Sequence, residues 1–400
     1  MRRKRSGRVA LWLLAAALLA VLGLCWFDSN RSKQQRLPAI QPVSHASPNP
    51  EPAAHRSTSS RANLTEPTGP APSPKPPAGS PEEPLASRPT LDATNDVGPL
   101  PPSAATNAPT ISSSYPRPVQ NVFEMQVALA RLALSPGSID GLLGPQTRSA
   151  LRAFQQKEHL SMTGELDNAT RERLLLSEPP TGTYLVTSND LARLQPLSST
   201  WLGKSRQTAL EYETVLELVS EKSQAAPTLV QRLNPDIVWS NVSACAPLEL
   251  PNISLPESRR RAAFITIGLS DKVLEAWDER TNLLVHFPCS IARQVDKRPV
   301  GELHVTVVAL NPNYTFDPEI FPESAEAREL KTKLVLPPGP NNPVGVAWIG
   351  LDRPGYGIHG TPRPEQVGRT ESHGCFRLAN WNAAYVARLV SVGTPVYIQP

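Results

Sequence analysis

The sequence predicts a multidomain chain: a small three-helix all-α module, a spacer, and a C-terminal all-β domain. Three observations lead there. Near residue 120 a proline-rich stretch gives way to apolar periodicity. Between 121 and 178 that periodicity is helical, broken by turns containing glycine and proline. From about Arg261 it becomes a series of short β-branched and apolar runs separated by polar turns. With 400 residues, the chain has room for two or three domains.

The N-terminus comes first. Residues 1–8 carry Arg2, Arg3, Lys4, Arg5 and Arg8, and Val9–Phe27 follows with 19 residues and no charge. That length spans a bilayer as a helix, and the basic cluster keeps residues 1–8 in the cytoplasm, so the bulk of the chain faces outward. A cleaved signal peptide is the alternative. It fits less well, because signal cores are shorter and no clear small-x-small site follows Leu24-Cys25-Trp26-Phe27. A lipoprotein box at Leu22-Gly23-Leu24-Cys25 would need a small residue where Leu24 stands. Residues 28–120 hold 20 of the 44 prolines, among Ala, Ser, Thr and Asn. Such a stretch cannot bury enough apolar surface to offset its ordering entropy, so it is expected to be a disordered tether. As a coil it would span roughly 50–60 Å on average.

Composition excludes some partners. A net charge of +4 is too small to argue for nucleic acid, and there is neither a Gly-rich phosphate loop nor an aromatic and basic run. No metal or organic cofactor is implied. Of the four cysteines, Cys25 lies in the apolar segment; Cys245 and Cys289 either pair in an oxidising compartment or stay as buried thiols.

In the helical module, Phe123, Met125, Val127, Leu129 and Leu132 fit a first amphipathic helix imperfectly. The turn Ile139-Asp140-Gly141-Leu142-Leu143-Gly144 precedes a second helix carrying Ala150, Leu151, Phe154 and Gln155. Asp167 is placed to cap a third helix from Asn168 to Leu176. The IDG-x-x-G-x-x-T and A-x-x-x-FQ elements (Ile139 to Thr147, Ala150/Ala153 to Gln155) resemble the peptidoglycan-binding domain type 1. The resemblance implies a wall-binding domain over 121–178, with Asp140 and Gly141 acting through turn chemistry. Across 181–255, Tyr184-Leu185-Val186, Leu233-Asn234-Pro235 and Leu248-Glu249-Leu250-Pro251 resemble a LysM module, a β-α-α-β unit binding glycan strands. It is stretched around Gln195 to Thr208, and a plain spacer remains the alternative.

Strands are expected at Ala262–Leu269, Val273–Trp277, Leu283–Phe287 and Leu303–Leu310. The long proline-rich stretch from Asn311 to Pro343 is expected to be a lid.

The chemistry concentrates near the end. Cys375 stands in Ser372-His373-Gly374-Cys375-Phe376-Arg377-Leu378, and His359 lies 16 residues upstream in Gly357-Ile358-His359-Gly360-Thr361. A thiol is a good nucleophile only as thiolate, and an imidazole is the usual acceptor of its proton. Gly374 lets a carbonyl approach the backbone closely, and amides of Gly374 and Cys375 can face an oxyanion. A zinc site of His359, His373 and Cys375 is a competing reading that lacks the paired ligand spacing usual for zinc.

These motifs resemble the L,D-transpeptidase catalytic domain of YkuD type, over 261–400, which implies a sandwich-like arrangement of the all-β domain. The resemblance implies that Cys375 is the nucleophile and His359 the proton donor and acceptor. His373 and Gly374 shape the site, while Arg377, Ser372, Tyr356 and Gly360 lie around the substrate. Phe376 stands where an Ile is commoner, and Val300 replaces a threonine-proline pair in Pro299-Val300-Gly301. The implied activity is 3→3 cross-linking of peptidoglycan stem peptides. Hydrolysis (carboxypeptidase or endopeptidase) and a silent wall-binding scaffold are the alternatives. The implied place is the bacterial cell envelope: anchored in the inner membrane, with the C-terminal part in the periplasm, or secreted after signal cleavage.

Overall fold

The computed structural model describes residues 114–257, 260–321, 324–369 and 374–400. The basic segment, the apolar segment 9–27 and the tether up to residue 113 lie outside these. Among the described residues no helix is long and apolar enough to cross a membrane.

Order begins slightly earlier than the composition suggests. Strand β1 (Arg117–Pro118) pairs antiparallel with β2 (Leu175–Leu176), closing the helical module at both ends. Val119 is fully buried, and Arg117 makes a two-pronged ion pair with Glu124 at 2.7 and 2.8 Å. Helix α1 (Val122–Arg131) is capped by Asn121, whose side chain accepts from Glu124 N. Helix α2 (Pro145–Lys157) starts with proline at its first position, where a missing N–H costs nothing. Helix α3 (Asn168–Arg173) is capped by Asp167, which accepts from Thr170 N at 2.8 Å. Two buried glutamines stitch the turns. Gln126 accepts from Gly141 N at 2.7 Å and donates to Asp140 Oδ1 at 2.8 Å. Gln155 accepts from Gly164 N and donates to Thr163, Glu165 O and Thr170. Gly141 has φ +79°, which a side chain would strain.

The next region opens with β3 (Thr181–Leu185) and closes with β4 (Pro247–Pro251), paired antiparallel. Between them run α4 (Ser188–Ala192), α5 (Trp201–Ser205), α6 (Val215–Lys222) and α7 (Pro227–Leu233). This region does not have its own core. Met125, Leu151 and Phe154 of the helical module share one apolar cluster with Leu218, Val230 and Leu248. Ile139 and Ala225 form a bridge that joins the two backbones.

The C-terminal domain is a curled, mostly-sheet structure. Its strands are β5 (Phe264–Gly268), β6 (Val273–Trp277), β7 (Leu283–Pro288), β8 (Gly301–Leu310), β9 (Tyr314–Phe316), β10 (Leu334–Leu336), β11 (Ala347–Leu351), β12 (Gly357–His359), β13 (Phe376–Arg377) and β14 (Pro395–Gln399). Eight of these hydrogen-bond in the order β13-β12-β11-β8-β14-β5-β6-β7. This corrects the sandwich expectation. The long β8 pairs with β14 through Gly301–His304 and with β11 through Val305–Leu310, so one strand carries the sheet around the curl. Helix α8 (Ala325–Glu329) sits in the long loop, where β9 and β10 form a separate ribbon.

A second correction is helix α9 (Asn380–Leu389), which packs on β8, β11 and β12 and makes the domain more than all-β. Its start has no side-chain cap, so the usual sequence signal of a helix N-terminus is missing. The expected alternative of a Cys245–Cys289 pair is not formed: Cys289 is a free thiol, completely buried, and burial pushes its pKa well up.

The helical module is docked on the β7 edge. Ser135 N donates to His286 O at 2.8 Å, and His286 N donates to Ala133 O at 3.1 Å. The His286 ring sits between Ser149 Oγ (3.0 Å) and Glu275 Oε1 (2.8 Å).

Candidate active site

Sequence order explains how the site assembles. Gly357-Ile358-His359 returns antiparallel beside Ala347–Leu351, with Trp348 opposite His359. The Trp348 ring stacks on the imidazole at 5.7 Å and 25°. Gly357 is required here, because a Cβ would strike the Trp348 ring and Ile349 O. The chain then leaves and comes back parallel as β13, with Ile358 opposite Phe376 and His359 opposite Arg377. Phe376 is fully buried and anchors β13 in the core. Ser290 holds the other side of β13, exchanging both backbone hydrogen bonds with Arg377 at 2.9 and 3.0 Å. Cys375 therefore stands at the mouth of two paired strands, one residue before β13.

His359 is 5% exposed. Its Nδ1 lies 2.6 Å from Gly360 O. A carbonyl only accepts, so Nδ1 carries the proton and Nε2 is left with its lone pair. Burial drives the imidazole pKa down to about 4, against a smaller upward pull from the Gly360 carbonyl; Arg377 adds to the lowering. At neutral pH the ring is uncharged.

Cys375 is half-buried, and its Sγ donates to Gly355 O at 3.4 Å. Burial raises its pKa, while the Gly357 backbone and the Arg377 charge pull it down. The resting groups are thus a thiol and a neutral imidazole, and a thiolate forms only when the thiol gives up its proton.

Arg377 is also half-buried, and burial lowers its pKa against the opposing pull of Cys375 and Tyr314. Its side chain makes no ion pair among the described residues. Tyr314, on the β9 ribbon, completes the surroundings: burial and Cys375 raise its pKa, and Arg377 lowers it. Sequence reasoning missed Tyr314, and only an aromatic in a proline-rich loop could have hinted at it.

Tyr356 donates from its hydroxyl to Lys297 O at 3.1 Å, under the Arg353 guanidinium at 4.6 Å. A Cβ on Gly374 would meet only the Tyr356 ring, at 3.9 Å, so that approach is open. Gly360 is differently placed. It is buried against Gly345 and Asn380, so its lack of a side chain serves packing. Ser372 and His373 lie outside the described residues.

Residues 262–398 match the family model described as the L,D-transpeptidase catalytic domain, of YkuD type. Residues 118–174 match the model described as "Putative peptidoglycan binding domain". The chain thus carries an L,D-transpeptidase catalytic domain preceded by a peptidoglycan binding domain.

Among named relatives, the chain is 38% identical over 108 residues to "Putative L,D-transpeptidase YqjB" of Bacillus subtilis, covering 26% of this chain and 52% of that protein. It is 27% identical to "Putative L,D-transpeptidase YkuD" of Bacillus licheniformis, covering 47% of this chain and 94% of that one. A solved L,D-transpeptidase from Mycobacterium smegmatis aligns with a TM-score of 0.28 and 18% identity, over 40% of this chain and 65% of that one. The matches therefore span from about half to nearly all of these proteins' lengths.

Proposed function

We propose that the chain is a peptidoglycan L,D-transpeptidase that forms 3→3 cross-links through a thioester on Cys375. The observation that carries this is the β12–β13 pairing, which joins the His359 strand to the residue after Cys375, with the His359 tautomer set by Gly360 O.

The reaction then runs as follows. His359 Nε2 takes the Cys375 proton as Sγ attacks the carbonyl of the third stem residue. The tetrahedral oxyanion forms against the amides of Gly374 and Cys375, each worth roughly 3–4 kcal/mol when aligned. The oxyanion collapses, the C–N bond breaks, and His359 returns the proton to the departing D-alanine amine. A second stem's amine attacks the thioester carbonyl, loses its proton to His359, and releases the thiol. Arg377 holds a stem carboxylate, and Tyr356 and Tyr314 flank it. Ser372 and His373 belong to the same motif and are proposed to shape the site. The 181–255 region grips glycan strands in the manner of a LysM module; two antiparallel strands enclosing helices support that reading. The enzyme works in the cell envelope, held at the membrane through residues 9–27.

The test is direct. Residues 114–400, incubated with a tetrapeptide muropeptide, should give a dimer mass with loss of D-alanine. A product lacking D-alanine but never dimeric would replace the transpeptidase with a carboxypeptidase. A single carbapenem adduct, absent in Cys375→Ala, is the expected covalent signature; an adduct persisting in that variant would sink the nucleophile assignment.

A further inference from the structure

Asn380, first residue of α9, is completely buried, yet every polar atom of its side chain is used. Nδ2 donates to Pro340 O at 3.0 Å and to Glu221 Oε2 at 2.9 Å. Oδ1 accepts from Val346 N at 3.3 Å. Two acceptors on one side and a backbone N–H on the other fix the amide's orientation. Oδ1 occupies the space where Gly345 and Gly360 would carry a Cβ.

Gly360 is the residue whose carbonyl accepts the hydrogen bond from His359 Nδ1, and its own N–H donates to Ala347 O at 3.2 Å. Asn380 is therefore pressed against the peptide that sets the imidazole's tautomer. Glu221 comes from α6, in the spacer, 159 residues away in sequence. It is itself held by the Tyr212 hydroxyl, which donates to Oε1 at 2.9 Å.

We propose that Asn380, oriented by Glu221 of the spacer, is a positioning residue for His359. The spacer then belongs to the catalytic machinery. This rests on the reading of His359 as the base. Without Asn380 the Val346 N–H loses its acceptor and the Gly360 peptide loses the wall behind it. The imidazole is then free to turn, and a misplacement of about 1 Å at a reacting group can cost on the order of a hundredfold in rate.

The groups facing Glu221 are Tyr212, Asn380, Glu217 of its own helix and Arg193, whose guanidinium lies over the Tyr212 ring at 5.1 Å. Burial raises the Glu221 carboxyl to about 7. The ionised form accepts more strongly from Asn380 than the protonated form, so the support tightens as pH rises through neutrality.

The test uses the rate of carbapenem acylation of Cys375, read by intact mass. Its companion is alkylation by iodoacetamide at alkaline pH, which needs thiolate but no base. Asn380→Ala and Glu221→Ala should slow acylation roughly tenfold or more while leaving alkylation unchanged. Glu221→Gln keeps both contacts, since its carbonyl accepts from Asn380 and its NH2 donates to Tyr212. It should restore the rate but flatten the rise of acylation between pH 6 and 8 expected of the parent. In a His359→Ala background neither alanine change should slow acylation further.

Equal slowing of both reactions would mean that these residues only hold the fold, and would overturn the proposal. So would full additivity with His359→Ala, or an unchanged pH profile in Glu221→Gln. If His359→Ala itself leaves acylation untouched, it is the assignment of the base that fails. If His359→Ala is slow but the Asn380 and Glu221 variants are not, only the positioning role fails.

Discussion

At the residue scale, the environments of Cys375 and His359 predict the pH behaviour of the proposed acylation. On the proposed role of His359 as the base, burial that lowers its pKa to about 4 leaves the ring deprotonated through the whole neutral range. Acylation should therefore be level from pH 5 to neutrality apart from the modest Glu221 step, and should fall below about 4. Direct alkylation of the raised Cys375 thiol should climb only under alkaline conditions. An acylation limb near 6.5, the ordinary histidine value, would show that the ring is not buried as described.

Stability follows from the same shifts with opposite signs. His359 titrates lower in the folded chain than in the unfolded one, so its contribution is complete above 6.5 and is lost as pH falls toward 4. Glu221 titrates higher when folded, so its contribution is complete below 4.5 and is lost as pH rises toward 7. Melting temperatures of Glu221→Gln relative to the parent should therefore increase from pH 5 to 8. A constant difference would contradict the burial of that carboxyl. Gly360→Ala is expected to destabilise by about 1–3 kcal/mol through overpacking against Asn380 and Gly345, measured by denaturant unfolding.

At the element scale, the long loop after β8 is less of a free lid than its composition suggests. Its α8 carboxylate, Glu326, accepts from Trp201 N at 2.9 Å and from Leu202 N at 3.0 Å. Trp201 stacks on Phe316 at 4.3 Å, and Phe321 stacks on Phe316 at 5.1 Å. The stretch around Gln195 to Thr208 thus straps the ribbon that carries Tyr314. Glu326→Ala removes two acceptor contacts at a helix start, an effect of about 1 kcal/mol. Limited proteolysis should then cut faster within 311–343, and unchanged protection would show that the strap is carried by the aromatic stack alone.

What could be read from sequence divides along this line. Cys375 and His359 sit in contiguous motifs whose turn glycines are visible, and Asp167 announces its own helix. Strand runs such as Val273–Trp277 follow from period-2 patterning. Tyr314, Asn380 and Glu221 carry no local signal, because their placement depends on partners distant in the chain. Helix α9 escaped because it begins without a capping side chain. The single curled sheet escaped because nothing in the β8 sequence says that its two halves pair with different strands.

At the scale of the whole molecule, the shared apolar cluster changes how wall binding can be tested. Deleting 121–176 would strip Met125, Leu151 and Phe154 from Leu218 and Val230, rather than removing a separable module. Such a truncation should lose the cooperative melting of the parent by circular dichroism. Retention of that melting would show that the spacer closes its own core. Sacculus binding is better probed at exposed positions such as Leu142, 63% exposed; Leu142→Ser should weaken pull-down without a change in melting temperature.

The docking of the helical module on the β7 edge, through the Ala133–His286 and Ser135–His286 backbone bonds, has a mechanical meaning. A wall-gripping module on a loose hinge would let the thiol sweep every stem peptide within reach. Here the helical module and Cys375 belong to one compact unit, so an enzyme of the proposed kind would act as a gauge. On the proposed function, cross-links would then form at a set offset from the hold, and their spacing would be a property of the protein's own shape.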